Sequence, residues 1–248
     1  MIGYWKMPQK KMIKDNLNKI QEDIDKALKN SKYSQDVTLV AVSKTHTASD
    51  ILAAYDSGIR DFGENKVQEL LSKVDVLPQD IRWHLIGHLQ TNKVKSIIGK
   101  VYLIHSVDSI KLAQIIENYA AKANVTVNIL IQVNISHEES KFGIDRSELA
   151  DMLWQISAMH HINVLGLMTI APETDNAENC RHVFQELKEL SIDIDSMNID
   201  NIRMQILSMG MSGDFKVAIE EGSTMVRIGT SIFGARQYAN KSVGNNKE

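Results

Sequence analysis

"LVAVSKTH" occupies residues 39–46. Extended back to Val37, the run VTLVAVS (37–43) is continuous, small or apolar and rich in β-branched residues. Such a run fits a parallel strand covered on both faces. It ends on Lys44, the chain then turns polar, and a helical spacing begins near residue 48. The same figure repeats down the chain. Strand-like runs follow at 59–64 (IRDFGE), 82–87 (RWHLIG), 101–106 (VYLIHS), 127–134 (VNILIQVN), 162–170 (INVLGLMTI), 203–210 (RMQILSMG) and 224–229 (TMVRIG), which makes eight with the first. Helix-like stretches lie between them, among them 48–57, 65–73, 109–122, 147–158 and 176–190. Thr47 or Ser49, Asp108, Asp145 and Asp175 stand where N-caps are expected, and Gly58 and Gly222 where helices stop. Eight strand-then-helix units predict an α/β chain folded as a (β/α)8 TIM barrel. An open doubly wound sheet is the second choice, weakened because no G-x-G-x-x-G follows the first strand. Upstream, Ile13, Leu17, Ile20, Ile24 and Leu28 recur every three or four residues and predict an extra amphipathic N-terminal helix over 12–30.

Composition narrows the class. The chain has 248 residues, 43% hydrophobic and 24% charged, with three prolines, enough apolar content for a sizeable core. A net charge of −3 and a pI near 6.2 give no basic surplus, so nucleic acid is not an expected partner. The one cysteine, Cys180, can form no internal disulfide and has no CxxC partner. That suits a reducing, cytoplasmic setting. No apolar run reaches the ~18 residues a membrane helix needs, and MIGYWKMPQKKMIKD holds no apolar run of signal-peptide length, so no signal peptide is expected. The histidines lack H-E-x-x-H spacing, so no metal site is expected. A single domain is expected over residues 1–240, with a frayed first few residues and a polar, disordered tail at 241–248.

The barrel gives Lys44 a position. Barrel active sites lie at the C-terminal ends of the strands, and Lys44 ends the first one. Glu64 and Asn65, His84 and His88, His105 and Ser106, Asn134, Thr169, Ser208, and Arg227 with Gly229 and Thr230 fall at the other strand ends. The loops after strands seven and eight, LSMGMSGDF (207–215) and VRIGTSIFGAR (226–236), carry glycines and hydroxyls where barrels often hold a phosphate. A phosphate site across from a strand-end lysine points to a phosphorylated aldehyde held as a Schiff base, for which pyridoxal 5'-phosphate (PLP) is the obvious candidate. The attacking amine must be partly neutral, which desolvation and a nearby cation such as Arg227 would promote.

The segments LVAVSKTH, FGENKVQEL, WHLIGHLQTNK, IHSVDS, VNISHEESKFGI, GLMTIAP, LSMGMSGDF and VRIGTSIFGAR, in this order, carry a family resemblance over residues 12–238. The chain resembles the pyridoxal phosphate homeostasis proteins, relatives of the N-terminal barrel of alanine racemase. The resemblance implies that Lys44 bonds the PLP aldehyde. It implies that Ser208, Gly229 and Thr230 help hold the phosphate, that Arg227 sits near the pyridine nitrogen, and that Asn65 lies in the pocket. The family usually has tyrosine after GEN, where this chain has Lys66.

An arginine beside the pyridine nitrogen leaves that nitrogen unprotonated and the ring a weak electron sink, which argues against transamination. The expected function is therefore PLP binding within intracellular vitamin B6 homeostasis, with little or no catalysis and PLP-dependent apoenzymes as recipients. The alternative is an amino-acid racemase taking a general acid from His84, His88 or His105. A regulatory protein that signals cofactor occupancy is a third reading. No residue is assigned a catalytic role. Lys141, in ESKFG, reads first as a mobile surface lysine and second as a weaker cofactor site. The helix at 12–30, if packed across the barrel bottom, would favour a monomer.

Overall fold

The structure is a computed structural model that describes residues 9–136, 138 and 141–234. The expected frayed N-terminus and the 241–248 tail lie outside the described residues. Eight parallel strands close into a barrel in sequence order: β1 (Thr38–Val42), β2 (Asp61–Glu64), β3 (Arg82–Leu85), β4 (Leu103–Val107), β5 (Val127–Gln132), β6 (Ile162–Met168), β7 (Ile202–Ser208) and β8 (Met225–Ile228). The predicted (β/α)8 barrel is the observed fold. The ladders are shorter than the apolar runs that announce them: β2 begins after Ile59 and Arg60, and β3 ends before Ile86 and Gly87.

The helices are α1 (Gln9–Asn30), α2 (Ala48–Asp56), α3 (Val67–Val74), α4 (Val94–Ile97), α5 (Ile110–Ala123), α6 (Leu149–Ile156), α7 (Arg181–Ser196), α8 (Phe215–Glu220) and α9 (Thr230–Phe233). Thr47 caps α2 through a reciprocal pair with Asp50, so Thr47 and not Ser49 is the cap. Two expected caps move by one residue. Ser109 rather than Asp108 accepts the Leu112 N–H at the head of α5. Asn176 rather than Asp175 accepts the Glu178 N–H before α7.

α1 corrects one expectation. It buries Ile13, Leu17, Ile20, Ile24 and Ala27, with Leu28 only partly covered, but it does not cross the barrel bottom. It packs against α2, α8 and α9, between the helices that follow β1 and β7. That is the ring position belonging to the eighth crossover. Asn16 Nδ2 donates to the Ile232 carbonyl at 2.9 Å and fixes the helix beside α9.

The main core lies between the strands and the helix ring. A smaller apolar cluster, Val40, Leu103, Leu130, Met168 and Met225, is separate from it. The remaining space between strands is polar. Asp61, His84, His105, Ser208 and Arg227 are all buried and joined by hydrogen bonds.

Candidate functional site

Barrel closure builds the site. β1 pairs with β8 with Ala41 opposite Ile228, so Lys44 and the Gly229–Thr230 pair leave the sheet from adjacent strands. A Cβ on Gly229 would meet the Val42 carbonyl oxygen at 3.1 Å, tighter than a side chain comfortably allows. Glycine thus lets the loop after β8 lie against the end of β1.

A cavity of about 700 Å³ opens at these strand ends, lined by Lys44, Asn65, Arg227, Gly229 and Thr230 among others. Its size is in the usual range for a small cofactor. Five of the six residues expected from the sequence therefore meet in one place. Ser208 is the exception. It is fully buried, with its hydroxyl between Arg227 and His105, and does not line the cavity. Its side chain works beneath the floor, because the last residue of β7 points into the barrel.

The turn carrying Lys44 is pinned on both sides. Before it, the Ser43 hydroxyl donates to Glu64 Oε1 at 2.6 Å and the Ser43 carbonyl accepts from Lys73 Nζ at 2.9 Å. After it, the Thr45 N–H donates to Glu69, and Thr45 takes a left-handed φ of 67°. Lys73 joins the two halves, reaching Glu64 at 2.7 Å and Glu69 at 2.8 Å. Glu64 Oε2 has no hydrogen-bond partner among the described residues, and burial pushes its carboxyl pKa up against the pull of Lys73. Lys66 is exposed at the N-cap position of α3, so it points away from the cavity.

Arg227 is the floor. Nη1 donates to Ser208 Oγ at 2.6 Å and Nη2 to the Thr169 carbonyl at 2.9 Å. Burial lowers its pKa to about 10, which still leaves it charged at neutral pH. Asp214 lines the wall, but its Oδ1 is taken by the Met211 N–H at 2.6 Å. Burial raises the Asp214 carboxyl pKa, against the pull of that N–H and of Arg227.

Three further lining residues were not among those six. Lys141 is part of the cavity wall rather than a mobile surface lysine, donating to the Ala171 carbonyl at 3.0 Å and pairing with Glu138 at 3.2 Å. Ser212 and Asp214 come from LSMGMSGDF, the loop after β7. Their signal was the strand-seven loop itself, followed a few residues further. Met211 lines the cavity, whereas Met168 and Met209 are core. None of the three candidate histidines lines it. His84 and His105 are fully buried inside the barrel, and His88 stacks on Phe142 and pairs with Asp108 at 3.5 Å.

The residues fit a phosphorylated aldehyde: an amine on one wall, a glycine-and-hydroxyl loop beside it, and a buried guanidinium whose direct partners are neutral. Comparison with known proteins agrees. Residues 15–237 match the family model for the alanine racemase N-terminal domain. The pyridoxal phosphate homeostasis protein of Aquifex aeolicus is 42% identical over 226 residues, covering 90% of this chain and 98% of that protein. The chain belongs to the pyridoxal phosphate homeostasis protein family. The Escherichia coli member of that family is 36% identical over 235 residues, covering 92% of this chain and 99% of its own. PipY of Synechococcus elongatus, a solved structure with PLP bound, is 34% identical with a TM-score of 0.78, covering 90% of this chain and all of that one. An alanine racemase of Clostridium difficile, 15% identical with a TM-score of 0.70, shares the barrel fold. This family member spans 58% of that racemase chain.

Proposed function

We propose that this chain binds PLP in the β1–β8 cavity, with Lys44 joined to its aldehyde as a Schiff base. Its role is to hold and hand on PLP within cytoplasmic vitamin B6 homeostasis, serving PLP-dependent apoenzymes, with little or no turnover of amino acids. One observation carries this. The strand pair that closes the barrel sets a lysine beside a Gly-Thr loop, with a buried arginine on the floor between them.

When bound, PLP supplies an electron sink for chemistry at the α-carbon of amines. The protein's part is positioning. Gly229 and Thr230 would hold the phosphate with backbone N–H groups and a hydroxyl. Arg227 would meet the ring nitrogen as a donor and leave it without a proton, which would keep the sink weak. Ser208 contributes by holding Arg227. Asn65 closes the rim. An amino-acid racemase needs a second proton carrier facing the cavity, and His84, His88 and His105 do not face it.

The test is direct. Protein mixed with PLP should turn yellow, and borohydride reduction with peptide mapping should place a pyridoxyl group on Lys44. Lys44→Ala should lose both colour and adduct at that peptide. A colourless wild type with no adduct would overturn the binding, and racemisation of alanine at enzyme-like turnover would overturn the carrier role.

A further inference from the structure

Five buried side chains run through the barrel interior from Arg227 to the opposite end. Ser208 Oγ lies 2.6 Å from Arg227 Nη1 and 2.9 Å from His105 Nδ1. His105 Nε2 lies 2.9 Å from His84 Nδ1, and His84 Nε2 lies 3.0 Å from Asp61 Oδ1. Asp61 is gripped by Arg82, which reaches it through Nε at 2.7 Å and through Nη2. Asp61 and Arg82 line a second cavity, of about 560 Å³, on the N-terminal side of the strands.

The chain has one direction. Asp61 is ionised: the hydrogen bonds from His84 and Arg82 hold its pKa below the usual carboxylate value, against burial. It therefore accepts. His84 and His105 are fully buried, and burial holds both imidazoles neutral. A neutral His84 that donates from Nε2 must accept at Nδ1. His105 then donates from Nε2 and accepts at Nδ1, so the Ser208 hydroxyl proton points to His105. That leaves the Ser208 oxygen to receive Arg227, which can only donate. Each of the four links pairs one donor with one acceptor, and the order runs from guanidinium to carboxylate without a break.

The geometry points to a positioning relay: Ser208, His105, His84 and Asp61 fix the orientation of Arg227 at the cavity floor. The device solves a particular problem. A carboxylate that fixed Arg227 by direct contact would compete with the ligand for its donors. Here the carboxylate, Asp61, is ion-paired with Arg82 and lies four hydrogen bonds away, and the chain between them keeps the arginine in one orientation. The link to cofactor binding rests on the PLP reading above, whereas the relay itself does not.

Two measurements test it. Imidazole nitrogen NMR of the protein without added PLP should find His84 and His105 both neutral and both protonated at Nε2. Either ring protonated at Nδ1, or charged at pH 7.5, would overturn the relay. PLP titration then tests its use. Asp61→Asn should weaken PLP binding about tenfold, and in an Arg227→Gln background the same change should have no further effect. A merely structural Asp61 would cost the same in both backgrounds, and that result would overturn the proposal. Ser208→Ala, nearly the same size, cuts the chain at its other end and should show the same non-additivity if Asp61→Asn fails to fold. If the wild type binds no PLP, the cofactor reading fails and the tautomers alone decide the relay.

Discussion

A methyl group on Gly87 would stand 2.4 Å from the carbonyl oxygen of Asn65. The methyl would press on the Asn65 backbone, so nothing flexible can give way. Gly87→Ala should therefore displace Asn65 from the cavity rim, cost about 1–3 kcal/mol in denaturant unfolding, and weaken PLP binding. Gly229→Val acts on the opposite wall by prising the loop after β8 from Val42, and it should reduce PLP affinity more than it reduces the unfolding midpoint. Residues of this kind were only half legible in the sequence. Lys44, Gly229 and Thr230 follow from a rule about strand ends. Lys141 and Asp214 do not, because they sit on loops whose path only the packed molecule defines. The histidine pair was legible as two polar residues on strands, but not as partners. Their contacts join positions 21 and 103 residues apart, which no local pattern records.

At the scale of the element, α3 holds the turn that presents Lys44. Lys73 satisfies Glu64 and Glu69 together, and Glu64 is wholly buried. Removing the cation leaves a buried carboxyl without its charged partner. Lys73→Met should cost roughly 3–5 kcal/mol. Adding Glu64→Gln should restore much of that loss, since the stranded carboxyl is then replaced by a neutral amide. Chemical denaturation of the two variants checks the difference. Helix periods were easy to read, and every long helix predicted is present. Cap residues were less so, because Asp108–Ser109 and Asp175–Asn176 each offer two competent oxygens one residue apart. The place of α1 was not readable at all. An amphipathic stripe states that a helix has a buried face, but the barrel decides what covers it.

At the scale of the whole molecule, the polar interior gives the fold a pH dependence. His84 and His105 are neutral in the native barrel, with pKa values below that of an exposed imidazole. Once unfolded they take up protons near pH 6.5, so the unfolded chain binds more protons than the native one below that pH. Their contribution is complete above the unfolded pKa and is lost as pH falls, by up to about 1.4 kcal/mol per pH unit for each ring. Arg82 and Arg227, the cations around them, further resist protonation, while Asp61 favours it. Glu64 and Asp214, with raised values, work in the opposite sense in the acid range. The clean observable is therefore a comparison. Between pH 7.5 and 5, the melting temperature of the wild type should fall more steeply than that of His105→Gln.

The pairing of the first strand with the last has a consequence for the protein's manufacture. Lys44 and Arg227 are separated by 183 residues of chain, and α1 also rests on the segments that follow β7 and β8. At roughly 5–20 residues per second, a ribosome adds that stretch in about ten to forty seconds. Throughout that interval the emerging chain carries the lysine but has no pocket around it. A nascent chain cannot sequester PLP in that site in advance, so loading waits until β8 has been made and has paired with β1.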